Sequence, residues 1–115
     1  MDIRPESPND SPAIRGLLLA AFESAAEADL ADEIRAEGLT EISLVAEIDD
    51  QIVGYALFSE VEVQTDGLSP RTISLAPMAV LPAFQRQGVG AQLIEAGLEA
   101  ARDEQWDVAV VLGHP

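Results

Sequence analysis

The sequence contains no cysteine and no lysine. Without cysteine, neither a disulfide framework nor thiolate chemistry is open to it. A single histidine, His114, argues against a histidine-built metal site and reads as a frayed end. No apolar run approaches the roughly 20 residues a membrane helix needs. The opening Met1-Asp2-Ile3-Arg4-Pro5-Glu6 has neither a basic leader nor an apolar stretch behind it, so no signal peptide is expected. We find no internal repeat, low-complexity segment or linker. These absences leave a cytoplasmic domain without metal or membrane as the expectation.

What is present fits that frame. The length of 115 residues suits one domain, residues 1–115, and can bury a core without covalent staples. Apolar residues make up 48% and charged residues 23%, a globular balance. The net charge is −15, and all six cations are arginine. Such a surface repels a phosphate backbone, so nucleic acid is not an expected partner. It attracts small cations, and equally it is the solvated surface of a soluble protein.

Asp2-Ile3-Arg4 is a short candidate strand. Ser7-Pro8 with Asp10, and Ser11-Pro12 one turn later, both look like helix starts. Ile14, Leu17, Leu18, Ala21 and Phe22 then recur at helical spacing. A second helix is expected from about Glu27 to Glu37, with Leu30, Ala31 and Ile34 as its buried side. Its other side, including Glu27, reads as solvated, and Gly38 as its C-cap. Ile42 to Ile48 alternates as a strand. Asp49-Asp50 is a hairpin turn, and Gln51 to Val63 the returning strand. A loop over Thr65 to Pro70 precedes a third long strand, Arg71 to Val80. Pro77 lies inside it and cannot donate to a ladder, so a bulge is expected there. A helix from about Val89 to Glu104 follows, with Leu93, Ile94, Gly97, Leu98 and Ala101 inward. Val108 to Leu112 is continuously apolar, as a strand buried on both faces should be. Its place after a strand and a helix makes it parallel to Arg71–Val80.

The chemistry concentrates between that third strand and its helix. The first backbone N–H groups of a helix lack intrahelical acceptors, and with the helix dipole they attract anions. Gly88 and Gly90 allow close backbone approach, while Gln85, Arg86 and Gln87 bring polar side chains to the same mouth. The pattern suits a pyrophosphate. A P-loop is excluded because Ala91 follows Gly90 where lysine is needed. A dinucleotide fingerprint is excluded because Leu93 stands at the third glycine. What remains is Gln/Arg-x-x-Gly-x-Gly/Ala, met by Gln85, Gly88 and Gly90.

With Leu75-Ala76-Pro77-Met78-Ala79-Val80-Leu81-Pro82 ahead of that turn, the chain resembles the GNAT superfamily of acyl-CoA-dependent N-acyltransferases. Ile3-Arg4-Pro5 resembles the family's first strand. Leu44-Val45-Ala46 and Ile52-Val53-Gly54-Tyr55-Ala56 resemble its central hairpin. The resemblance implies an α/β (α+β) GNAT fold: a mixed central sheet, two N-terminal helices and a cofactor-binding helix after strand 4. It implies acetyl-CoA as co-substrate and an amine as acceptor. Met78, Ala79 and Val80 would pair with the pantetheine arm. Gln85, Arg86, Gln87, Gly88, Val89, Gly90 and Ala91 would cradle the pyrophosphate. Two parallel strands would splay beyond a bulge, with the thioester between them.

The implied reaction is direct attack of an amine on the thioester in a ternary complex. An alkylammonium of pKa ~10 must first lose a proton. Val80 N–H is the expected oxyanion donor. Glu60, Glu62 and Ser74 are the candidate bases, Glu60 first. The family's usual general acid is a tyrosine on a helix after the strand at Val108–Leu112, and no such helix follows here. The expectation is therefore a domain incomplete at its C-terminal end, with Tyr55 in the core. An exposed strand at Val108 would invite a homodimer. Arg71 reads as a loop-edge cation and Trp106 as packing at a strand start. Two alternatives stand beside the enzyme: a non-catalytic acyl-CoA-binding or regulatory module, and a fragment inactive without residues beyond Pro115.

Overall fold

The structure, a computed structural model, describes residues 1–62 and 66–111. The expectations on Val63, Thr65, Leu112 and His114 lie outside those residues. Five strands form one sheet in sequence order: β1 (Asp2–Pro5), β2 (Thr40–Ile48), β3 (Gln51–Val61), β4 (Thr72–Val80) and β5 (Val108–Val111). The first four pair antiparallel, and β5 runs parallel to β4. The mixed sheet is thus the one the resemblance implies. Asp49 and Asp50 close the β2–β3 hairpin at φ 50° and 63°, the double left-handed turn that matches strand twist.

Both helix-start signals are used. Ser7 and Asp10 cap each other around a single 3-10 turn at Pro8–Asp10, with the Ser7 N–H donating to Asp10 Oδ2 at 2.7 Å. Helix α1 (Ser11–Ala21) then begins one turn later. The Arg4 guanidinium donates to both Asp10 oxygens, at 2.8 and 3.0 Å. These bonds, with the Ser7 N–H, hold the Asp10 carboxyl well below the usual carboxylate range. Helix α2 (Ala26–Ala36) ends at Gly38, whose φ of 70° suits glycine.

The sheet buries both faces. Helix α3 (Val89–Asp103) covers one, over Ile42, Leu44, Ala46, Ala56, Phe58, Ile73 and Leu75. Helices α1 and α2 cover the other, over Val45, Tyr55, Leu57 and Ala79. The expected bulge lies in β4. Phe58 pairs with Leu75 and Ala56 with Met78, so two steps on β3 face three on β4. One extra residue reverses the alternation. Ile73 and Leu75 before the bulge, and Met78 and Val80 after it, therefore all point toward α3.

Tyr55 is fully buried, as its place on a central strand suggested. Its hydroxyl donates to Glu6 Oε1 at 3.1 Å and accepts from Arg35 at 2.9 Å. Burial pushes the phenol up to about 12. On the other face Gly97 lets α3 lie against Phe58. A Cβ there would stand 2.2 Å from the ring carbon Cε1.

Two burial expectations are corrected. In α2 the buried residues are Ala28 and Ala31, while Leu30 is 41% exposed. Two small alanines let the helix approach the sheet closely, and this rolls Leu30 and Glu27 toward the bulged part of β4 instead. In β5, Val108, Val110 and Val111 are 43%, 38% and 39% exposed. It is an edge strand of the described sheet, paired on one side only, and α1 and α2 pack chiefly over β3 and β4.

Candidate active site

The site begins where β5 leaves β4. The parallel ladder joins Thr72–Leu75 to Val108–Val111. From Ala76 to Val80 the outer side of β4 has no strand partner among the described residues. Backbone direction there follows from the ladder. Leu81 N–H bonds the Val53 carbonyl at 2.8 Å, so it points toward β3. Alternation then turns the N–H groups of Val80 and, two residues back, Met78 to the open side.

The chain next makes a 3-10 turn at Pro82–Phe84 and enters α3 through Gly88. Gly88 has φ 84° and no side-chain cap, so the helix mouth is bare backbone. Gln92 N–H is the first to find an intrachain acceptor, the Gly88 carbonyl at 3.1 Å. The amides of Val89, Gly90 and Ala91 ahead of it have none among the described residues. Arg86 has φ 65°, is exposed, and forms no ion pair among them. Two glutamines brace the turn, Gln85 from the open side of β4. The Gln85 side chain donates to the Val80 carbonyl at 3.1 Å, and that of Gln87 to the Ala83 carbonyl at 3.3 Å. Gly90 lies over the strand: a Cβ there would be 3.7 Å from Met78 Cε and 3.8 Å from Val80 Cγ2. The structure thus brings Met78, Ala79 and Val80 next to the turn at residues 85–91. An unpaired row of amides, one free cation and an open strand edge fit an anion with an extended amide-bearing arm.

The expected bases are not at this place. Glu60 is exposed on β3 and pairs with Ile73. At about 3.3 Å per residue, the four steps from Pro77 back to Ile73 put it about 13 Å along the sheet from the bulge. Glu62 lies beyond it and is exposed. Ser74 is half-buried, between Ser59 on β3 and Val110 on β5. Arg71 does local work at the opposite end of β4. It donates to the Glu104 carbonyl at 2.9 Å and stacks 4.3 Å from the centre of the Trp106 ring. That ring packs against the α3-side core, at the strand start.

A pocket of about 270 Å³ adjoins the bulge, lined by Phe22, Glu27, Leu30, Leu75, Ala76, Pro77 and Met78. Its single charged group, Glu27, was expected on a solvated helix face. Helical periodicity places Glu27 and Leu30 side by side, three residues apart, but cannot say that they overhang β4. Among the described residues no group of three or more acidic, histidine or cysteine side chains could hold a metal. No helix there is long and apolar enough to cross a membrane.

Comparison with known proteins agrees with this geometry. Residues 11–113 match the model of the Acetyltransferase (GNAT) family. The chain is 40% identical over 116 residues to an uncharacterized N-acetyltransferase, YhbS, of Escherichia coli, covering all of this chain and 68% of that protein. A GNAT family acetyltransferase from Brucella melitensis, solved in complex with acetyl-CoA, superposes with a TM-score of 0.91 at 36% identity, over 99% of this chain and 76% of that one. The crystal structure of E. coli YhbS in complex with CoA gives 0.91 at 39% identity, over 99% of this chain and 63% of that one. With its matched residues taking in helices α1 to α3 and strands β2 to β5, the chain belongs to the Acetyltransferase (GNAT) family.

Proposed function

We propose that this protein moves an acetyl group from acetyl-CoA to an amine by direct attack within a ternary complex. The observation that carries the reading is the open outer edge of β4 running into a helix mouth with three unpaired amides. The two relatives solved with acetyl-CoA or CoA share that fold at 36% and 39% identity. The amides of Val89, Gly90 and Ala91, with Gln87 and Gly88 before them, would take the pyrophosphate, and Arg86 would add a positive charge. The outer backbone edge of Met78 to Val80 would pair with the pantetheine amides.

The thioester then lies beside the bulge. A deprotonated amine attacks its carbonyl carbon, a C–N bond forms, the C–S bond breaks, and the thiolate takes a proton. The negative charge that develops on oxygen needs a donor already in place. Two N–H groups face that side: Met78's, next to the bulge, suits the thioester oxygen, while Val80's, expected from the sequence, lies about 7 Å further along the edge that would pair with the pantetheine. Holding both reactants in line supplies much of the rate. A proton from the ammonium would reach Glu60 only through a chain of waters along β3.

Calorimetry with acetyl-CoA and thiol release against a panel of primary amines test the reading. Saturable binding with amine-dependent thiol release is expected. Binding without release from any amine would reduce the protein to an acyl-CoA-binding module.

A further inference from the structure

The pocket beside the bulge has a chemistry that the cofactor turn does not use. Phe22 and Leu30 line it on one side and the β4 segment from Leu75 to Met78 on the other, and the lining is mainly apolar. Glu27 stands among them in the first turn of α2. Its Oε2 is shut off from solvent and has no hydrogen-bond partner among the described residues. A buried acceptor without a donor is costly, and a charged one more so. The nearby cations are engaged elsewhere. Arg15 pairs with Asp29 and Asp32, and Arg35 with Glu6 and Asp32. Glu27 lines the pocket without a hydrogen-bond or ion-pair partner among the described residues, so the pocket carries one unanswered carboxylate in a mainly apolar lining.

We propose that this pocket binds a primary ammonium carried on an apolar stem, and that the Glu27 carboxylate is the contact that holds the ammonium. This rests on the acetyl-transfer reading, because the pocket opens on Ala76, Pro77 and Met78, where that reading places the thioester. An amine held at Glu27 stands beside the thioester carbon and attacks it once its ammonium has lost a proton. An ammonium is a compact charge that pairs with a lone carboxylate, and at the mouth of the pocket its other N–H groups can keep water. Apolar walls exclude a polyhydroxylated acceptor, whose hydroxyls would lose water without replacement. The net charge of −15 draws cations toward the protein as a whole. Glu27 is thus a specificity residue for the acceptor.

The test uses the full chain without cofactor. Phenethylamine and its neutral counterpart 2-phenylethanol are titrated into the protein and into E27Q and E27D, followed by protein NMR. Phenethylammonium is expected to shift the resonances of Phe22, Leu75 and Met78. E27Q, nearly the same shape, should weaken it about 10- to 100-fold and leave the alcohol unchanged. E27D keeps the charge and should recover part of the loss. Equal ammonium affinity for the protein and E27Q, or no ammonium binding at all, overturns the proposal. A parallel acetyl-CoA titration should give the same affinity for the protein and E27Q. Loss of that binding in both would overturn the cofactor reading, while the amine titration still decides the role of Glu27.

Discussion

Gly97→Ala should unfold the protein more easily, although alanine is the better helix former. The new Cβ would lie 2.2 Å from Phe58 Cε1 and 2.3 Å from Cζ. Carbon atoms prefer about 3.5 to 4.0 Å, so more than 1 Å must open between α3 and β3. Phe58 has no exposed surface, so its ring has nowhere to turn. A clash with a rigid ring belongs at the upper end of overpacking costs, about 3 kcal/mol. The helix-propensity gain returns about 1 kcal/mol, leaving a net loss of about 2 kcal/mol. Gly16→Ala is the matched control. It lies inside α1 with nothing within 4 Å of the added carbon. It should stabilise by about 0.5 to 1 kcal/mol. Urea unfolding by circular dichroism separates the two, with opposite shifts in midpoint at constant slope. If both variants shift the midpoint upward, α3 does not sit on Phe58 as described. The geometry that brings Gly90 over Val80 would then fail with it.

Two further predictions concern the buried polar groups. Tyr55→Phe removes a hydroxyl bonded to Glu6 and Arg35 and should cost about 1 kcal/mol at neutral pH, read from urea midpoints. The folded phenol titrates at about 12, above its ordinary 10.0. Its contribution is therefore full below pH 10 and lost as pH rises toward 12, so the variant should lose less stability than the parent across that range. Asp10 has the opposite sign. Its folded carboxyl is held below the ordinary 3.8, first by Arg4 and then by the Ser7 N–H. That stability is present above about pH 4 and lost as pH falls further, so Asp10→Asn should lower stability at pH 7 and flatten the acid limb of a thermal-melting series.

The elements most legible in the sequence are those set by local chemistry. Asp49-Asp50 specifies the hairpin because aspartate tolerates the left-handed region. Pro77 announces the β4 bulge because it has no N–H to donate. The order strand, helix, strand makes β5 parallel to β4. Gly88 and Gly90 mark the helix mouth without any knowledge of tertiary contacts. What stayed hidden depends on neighbours distant in the chain. Tyr55 meets Glu6, Ser43 and Arg35, which come from three separate segments. Glu27 and Leu30 look like a wet residue and a core residue on a helical wheel. Their true setting depends on where α2 crosses β4, which periodicity does not encode. The exposed valines of β5 show the same limit: a continuous apolar run reports hydrophobicity, not which faces are covered.

The central claim is that bare backbone at the start of α3 holds the anionic part of acetyl-CoA. Amide NMR during an acetyl-CoA titration tests it most directly. The N–H resonances of Gly88, Val89, Gly90 and Ala91 should move most, together with those of Met78 and Val80, and all should saturate at one affinity. Saturable binding that leaves the Gly88–Ala91 amides unmoved would contradict it.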